Sequence, residues 1–172
     1  MKNNLLALFC LVSLAHAEIS VPAFTAYCDP DFRGVEFSKE KGLSGWKDSK
    51  QHISWFGDIK TPGKLTANLR VKGDEGRAFV LKVGETSREA VVSHGAASFG
   101  EFEIAKAGFA KFELTSKDGC KGVIEALVLD GPATADAHFN LEPRRNASSV
   151  HLMYPTPKDE KIAFFYNEVT AV

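Results

Sequence analysis

The chain is short of cysteine, nearly without net charge and without any apolar run long enough to cross a membrane, and each shortage excludes something. Three cysteines in 172 residues, with no Cys-x-x-Cys among them, leave neither a zinc knuckle nor a dithiol redox pair. A formal net charge of -1 provides no basic stripe for phosphates, so nucleic acid is not an expected partner. No segment has the length and hydrophobicity of a membrane-spanning helix. The histidines His52, His94, His138 and His151 are scattered, with no His-Glu-x-x-His spacing for zinc. There is no Gly-x-Ser-x-Gly elbow, and Ser93 beside His94 on a strand would point to opposite faces. Carboxylates are plentiful, yet nothing selects two of them at the separation that glycoside hydrolysis needs. No enzyme class is identified, and the chain is expected not to be an enzyme.

What is present begins with a tripartite leader. Lys2 gives a basic start, Leu5 to Leu14 an apolar run too short to span a bilayer, and Ala15-His16-Ala17 a small-residue cleavage site. Residues 1–17 are therefore expected to be a signal peptide, with Glu18 as the mature N-terminus and export as the destination. Cys10 follows Leu8-Phe9 rather than small residues, which argues against a lipid anchor. Cleavage leaves Cys28 and Cys120 in an oxidising compartment, so a disulfide between them is expected. Closing a loop of about 90 residues would contribute about 4–5 kcal/mol. Two unbridged thiols are the alternative.

With 44% hydrophobic and 25% charged residues, the chain has the composition of an ordinary soluble domain, and the roughly 155 residues after the leader suffice for one. Alternation runs through it and helical spacing is nearly absent. Leu65, Ala67, Leu69 and Val71 share one face of a strand, and in 52–59 Ile53 and Trp55 face away from His52, Ser54 and Phe56. Ala78 to Val83, Glu89 to Ser93, Phe99 to Ile104, Phe109 to Leu114 and Val123 to Leu129 continue the series. Gly and Asp turns separate them at about ten-residue intervals, the spacing of an all-β sandwich or barrel. After Gly131-Pro132 the alternation stops. The expected division is a β-sandwich over 18–132, a linker over 133–148, and a C-terminal β-hairpin extension over 149–172.

Val21-Pro22-Ala23, Gly42 to Asp48, Pro62 to Leu65, and then Arg145, Ser149 to Leu152 and Phe165 to Thr170 resemble secreted bacterial proteins that join domain of unknown function 5077 to domain of unknown function 3472. The first is similar to a carbohydrate-binding-module sandwich, of the jelly-roll, galactose-binding-like kind. The stretch from Ser149 resembles the opening of the second, which in such proteins continues far beyond the equivalent of Val172, so 149–172 is expected to be the truncated start of another domain.

A sugar ring offers a flat apolar face edged by hydroxyls, so its site needs an aromatic platform beside carboxylate, amide or guanidinium groups. Trp46 beside Asp48, with Arg33 and Glu36 upstream, supplies these types in a loop-rich region, and Trp55 is a second candidate platform. Against this, Trp46 could plug one end of the sandwich and Trp55 could lie in its core. Tyr27 is expected to pack around the disulfide. Asp29, Asp31 and Glu36 cluster as calcium ligands might, but without regular oxygen-ligand spacing a solvated acidic loop is favoured and no cofactor is expected. Asn146-Ala147-Ser148 is a glycosylation sequon. A secreted, non-catalytic carbohydrate-binding module with a polysaccharide or glycan partner is the leading expectation. The alternatives are an assembly module docking on a second protein through its outer sheet or through the aromatic C-terminal hairpin of Tyr154, Phe164 and Phe165, or the front piece of a larger carbohydrate-active protein.

Overall fold

The computed structural model describes residues 18–142. The leader, Asn146, Tyr154, Phe164, Phe165 and the stretch resembling domain 3472 lie outside the described residues.

Among the described residues, twelve strands succeed one another with only short 3-10 turns between: β1 (Ile19–Pro22), β2 (Tyr27–Asp29), β3 (Glu36–Ser38), β4 (Gly42–Ser44), β5 (His52–Ile59), β6 (Gly63–Lys72), β7 (Ala78–Val83), β8 (Thr86–Val91), β9 (Ala96–Ile104), β10 (Gly108–Thr115), β11 (Val123–Asp130) and β12 (His138–Phe139). They form two antiparallel sheets. The first runs β3-β4-β11-β6-β9, with β1 also on β11; the second runs β12-β5-β10-β7-β8, with β2 also on β5. Among the described residues no helix is long and apolar enough to cross a membrane.

Pattern dictates packing. In β6 the alternating Leu65, Ala67, Leu69 and Val71 are all buried, facing Phe79, Leu81, Phe112 and Leu114 from the second sheet. In β9 the buried side chains are Ala97, Phe99, Phe102 and Ile104, which breaks the period of two. The break is a bulge: Ala67 pairs with Gly100 and Asn68 with Ser98, so Phe99 is the extra residue, and Gly100 takes φ 75°. A glycine in the left-handed region admits the extra residue, and both phenylalanines can then face inward.

Two expectations need correction. The linker does not start at residue 133. Ala133, Thr134 and Phe139 are buried, and β12 pairs with Asp58 and Gly57 of β5. Phe139 lies where a Gly57 side chain would be, since a Cβ there would come within 2.3 Å of its ring, and it meets Phe112 at 5.6 Å between ring centroids. A missing side chain in β5 thus makes the socket for a two-residue strand, too short to show alternation.

The second correction concerns the cysteines. Cys28 and Cys120 are both buried, and no disulfide joins them. Each sulfur is directed to a local acceptor instead: Cys28 donates to the Asp31 carbonyl at 3.2 Å, and the Cys120 thiol hydrogen-bonds the Asp74 carboxylate. Burial, reinforced by Asp31, Asp29 and Asp48, pushes the Cys28 thiol from 9.0 up to about 12. Burial and then Asp74 do the same to Cys120, also to about 12. These are protonated, poorly nucleophilic thiols. Because the unfolded chain ionises them near pH 9 and the folded chain does not, the fold loses proton-linked stability as pH rises between about 9 and 12 and is insensitive to them below. Thermal melts from pH 7 to 11 should show a fall in Tm above pH 9 that is shallower in a Cys28→Ala/Cys120→Ala variant. Equal slopes in the two proteins would remove the thiols as its cause.

Candidate functional site

The strand directions bring the loops 30–35, 45–51, 73–77, 92–95 and 116–122 to one end of the sandwich. Arg33, Trp46 and Asp48 lie there, with Glu36 at the adjoining start of β3, so the sequence grouped residues that do gather at one end. The platform does not form, however. Trp46 is 0% exposed: its ring packs against Phe79 (centroids 6.1 Å apart), its Nε1 donates to the Asp48 carbonyl at 3.0 Å, and its own carbonyl accepts from Cys120 N at 2.7 Å. Gly119 lies so close behind that a Cβ would come within 2.3 Å of the Trp46 carbonyl oxygen. Trp46 is the plug of this end of the sandwich.

Trp55 is also inside, 1% exposed, its Nε1 donating to the Pro22 carbonyl at 3.3 Å. The polar candidates Arg33, Glu36 and Asp48 are exposed, and two of them are engaged locally. Arg33 pairs with Asp31 at 2.6 Å, and Asp48 Oδ1 accepts from Lys50 N at 2.9 Å. Gln51, buried below them, donates through Nε2 to the Asp31 and Arg33 carbonyls at 2.7 and 3.0 Å. Among the described residues no group of three or more His, Cys, Asp or Glu is placed to hold a metal ion.

Among the described residues, the same loops carry a part-buried charge cluster. Asp74, at φ 66°, accepts from Lys121 N at 2.6 Å and Gly122 N at 3.2 Å, faces Arg77 at 3.4 Å and takes the Cys120 thiol proton in a hydrogen bond. Burial pushes its carboxyl up, but these donors and the Arg77 charge outweigh burial and hold it below its ordinary value. Arg77 extends the cluster to Asp118 at 3.2 Å.

A surface with the chemistry of a sugar site lies elsewhere, on the outer face of the second sheet. Once Ile53 and Trp55 point inward, the pleat sends His52, Ser54, Phe56 and Asp58 outward. Register then brings Tyr27 and Glu113 to either side of Ser54, Lys111 beside Phe56, and Phe109 beside Asp58. Tyr27 and Phe56 meet edge to face, with centroids 5.5 Å apart and planes at 82°, and Phe109 is exposed. Glu113 hydrogen-bonds Lys111 and stands 3.7 Å from His52 Nδ1; Asp58 pairs with Lys60 at 2.5 Å. Burial raises the Glu113 carboxyl, yet Lys111, with His52 and Lys82 behind it, holds it below its usual range. Ser54 is 2% exposed, and its Oγ has no hydrogen-bond partner among the described residues. Aromatic faces edged by a carboxylate, an imidazole and ammonium groups are the groups that hold a pyranose.

Sequence reasoning passed over this face. The signal was present, because assigning Trp55 to the core leaves Phe56 and its alternates outside. Only the cross-strand register, which no single strand contains, adds Tyr27, Phe109 and Glu113 to them.

The family described as Domain of unknown function (DUF5077) matches residues 21–134. Similar solved structures include a Podospora anserina GH26-CBM35 beta-(1,4)-mannanase, with a TM-score of 0.55, 12% identity, and 67% of this chain aligned on 28% of that one. Another is the CBM35 from Cellvibrio japonicus Abf62, with a TM-score of 0.51, 14% identity, and 72% of this chain aligned on 97% of that one. At these identities the likeness is one of fold: an all-β sandwich built like a carbohydrate-binding module. The chain spans little more than a quarter of the mannanase's length. No curated protein matches the sequence.

Proposed function

The chain belongs to the DUF5077 family, and from that footing we propose that it is an exported carbohydrate-binding module without catalytic activity of its own. The observation that carries the reading is the coincidence of two things: a sandwich folded like CBM35 domains, and an outer sheet face on which Tyr27, Phe56 and Phe109 stand among Glu113, His52 and Lys111. Fold alone does not choose a function. The aromatic and polar groups on that face supply the reason to choose glycan binding.

Export rests on the leader over 1–17. Support for binding without catalysis comes from the charges on that face, where the carboxylates Glu113 and Asp58 are both tied to cations. A general acid needs a raised pKa, whereas Glu113 is held low.

The full chain, expressed in an exporting host, is expected to begin at Glu18 by mass, to be retained on insoluble polysaccharides, and to release no reducing sugar from them. A folded sample retained on none of a broad set of polysaccharides, or one that cleaves them, defeats the proposal. Trp46→Ala is not an informative variant for binding, because the buried ring supports the fold.

A further inference from the structure

We infer that residues 138–142 form a hinged strap, which opens from the edge of the second sheet while both sheets stay folded and so sets how far the chain beyond Glu142 reaches from the sandwich. The hinge is well anchored on its near side. Ala133 and Thr134 are buried, Thr134 Oγ1 donates to the Gly131 carbonyl at 2.7 Å, and Ala137 N donates to the Thr134 carbonyl at 3.1 Å. Within that turn Asp136 takes φ 55°, a left-handed conformation that aspartate tolerates. The chain is redirected there over a few residues, and what lies past Ala137 can swing without disturbing what lies before it.

The catch is a single side chain. β12 pairs with β5 over two residues, His138 with Asp58 and Phe139 with Gly57. Phe139 alone of the strap residues is buried, while His138, Leu141 and Glu142 are exposed. Its ring fills the room that Gly57 leaves, where a Cβ would come within 2.3 Å of it, and stands 5.6 Å from the ring of Phe112. Past the ring, Glu142 meets Lys39 in the β3–β4 turn at 3.5 Å, but their side chains are 76% and 59% exposed, and a pair so wet holds little. The centre of the sandwich is held quite differently. β6 and β11 pair at seven positions and bury Leu65, Leu69, Leu127 and Leu129. Opening the strap uncovers one aromatic ring and two rungs of ladder, whereas unfolding uncovers the whole core, so the strap opens at the lower free energy.

The strap controls position. Closed, it holds Glu142 beside the β3–β4 turn. Open, its extended length releases the chain beyond Glu142 by up to about 17 Å. One phenylalanine and one glycine thus select between two points of attachment for whatever follows.

The test is amide hydrogen exchange of the full chain, followed by NMR over a series of low urea concentrations. Amides bonded between β12 and β5 at 57–58 are expected to exchange about a hundredfold or more faster than the central amides of β6 and β11, with rates that barely depend on urea, the mark of a small opening. Phe139→Ala should abolish their protection while the central amides remain slow. Gly57→Ala should also open the strap, because its Cβ and the ring compete for one space; it should lower Tm in the wild-type background and leave Tm unchanged or raised in Phe139→Ala. A nitroxide on Glu142→Cys, the native thiols being buried, should broaden the amides of residues 38–41, and Phe139→Ala should remove the broadening.

Strap amides that exchange with the same urea dependence as the centre of β6 would mean that the edge opens only when the protein unfolds, and strap amides with no protection in the wild type would mean that there is no closed state. Either result overturns the strap. An equal cost of Gly57→Ala in both backgrounds would show that the ring is not the catch, and broadening that survives Phe139→Ala would show that Glu142 does not depend on it; each also defeats the proposal.

Discussion

Replacing Trp46 by alanine is expected to destabilise the protein by about 3–5 kcal/mol, the range for emptying a large aromatic site in a packed core. For a domain of this size that is a fall in Tm on the order of 10–20 °C. The loss has three sources in the structure. The ring, fully buried against Phe79, leaves a cavity between the sheets at their loop end. Its Nε1 bond to the Asp48 carbonyl disappears. Gly119 and Cys120 are positioned on the Trp46 backbone, so relaxation of one loop disturbs the other. Trp46→Phe separates these contributions, since it keeps most of the volume and loses only the indole donor; a cost of about 1–2 kcal/mol is expected there. Urea unfolding of the three proteins measures both values. A Trp46→Ala protein with wild-type stability would mean that the ring is not part of the core, and the loop end would again be open as a sugar platform.

That result also marks where the sequence could be read and where it could not. The sandwich was legible because burial on one face of each strand forces a period of two, as in Leu65 to Val71, and because glycine-rich turns recur between strands. Trp46 was ambiguous for a physical reason. It sits in a loop, where no alternation indicates which way a side chain points, and a tryptophan bridging an apolar interior and a polar carbonyl suits a plug and a platform equally well. Cys28 and Cys120 were misread because pairing was inferred from compartment and number, whereas a disulfide depends on where two sulfurs point. The outer face of the second sheet was half legible. Phe56 follows from Trp55, but Tyr27, Phe109 and Glu113 arrive from strands distant in the chain, and register between strands is a tertiary fact. Likewise the docking of Phe139 depends on the missing side chain of Gly57, more than eighty residues earlier.

Asp74→Ala is expected to cost about as much as the loss of Trp46, roughly 3–5 kcal/mol, by a different route. The carboxylate is the common acceptor for Lys121 N, Gly122 N and the Cys120 thiol, and the partner of Arg77, whose side chain is itself largely buried. Removing it takes the acceptor from several donors at once at a part-buried site, and a donor left without its acceptor costs more than the bond it made. The loop between β6 and β7 and the loop between β10 and β11 lose their main polar tie. Alanine is also strained at φ 66°, a conformation that aspartate and asparagine tolerate better. Asp74→Asn therefore keeps the backbone and one acceptor oxygen, and should lose about half as much. The pH dependence is the sharper discriminator. The folded carboxyl is held below its ordinary 3.8, so its contribution is present above the unfolded pKa and is lost as pH falls through the folded one. Wild-type protein should lose stability steeply below about pH 4, and Asp74→Asn, with no charge left to protonate, should show a shallower acid limb in urea unfolding between pH 2.5 and 6. Parallel acid limbs in the two proteins would place the acid sensitivity on other carboxylates, with Glu113, held low by Lys111 and His52, the next to replace.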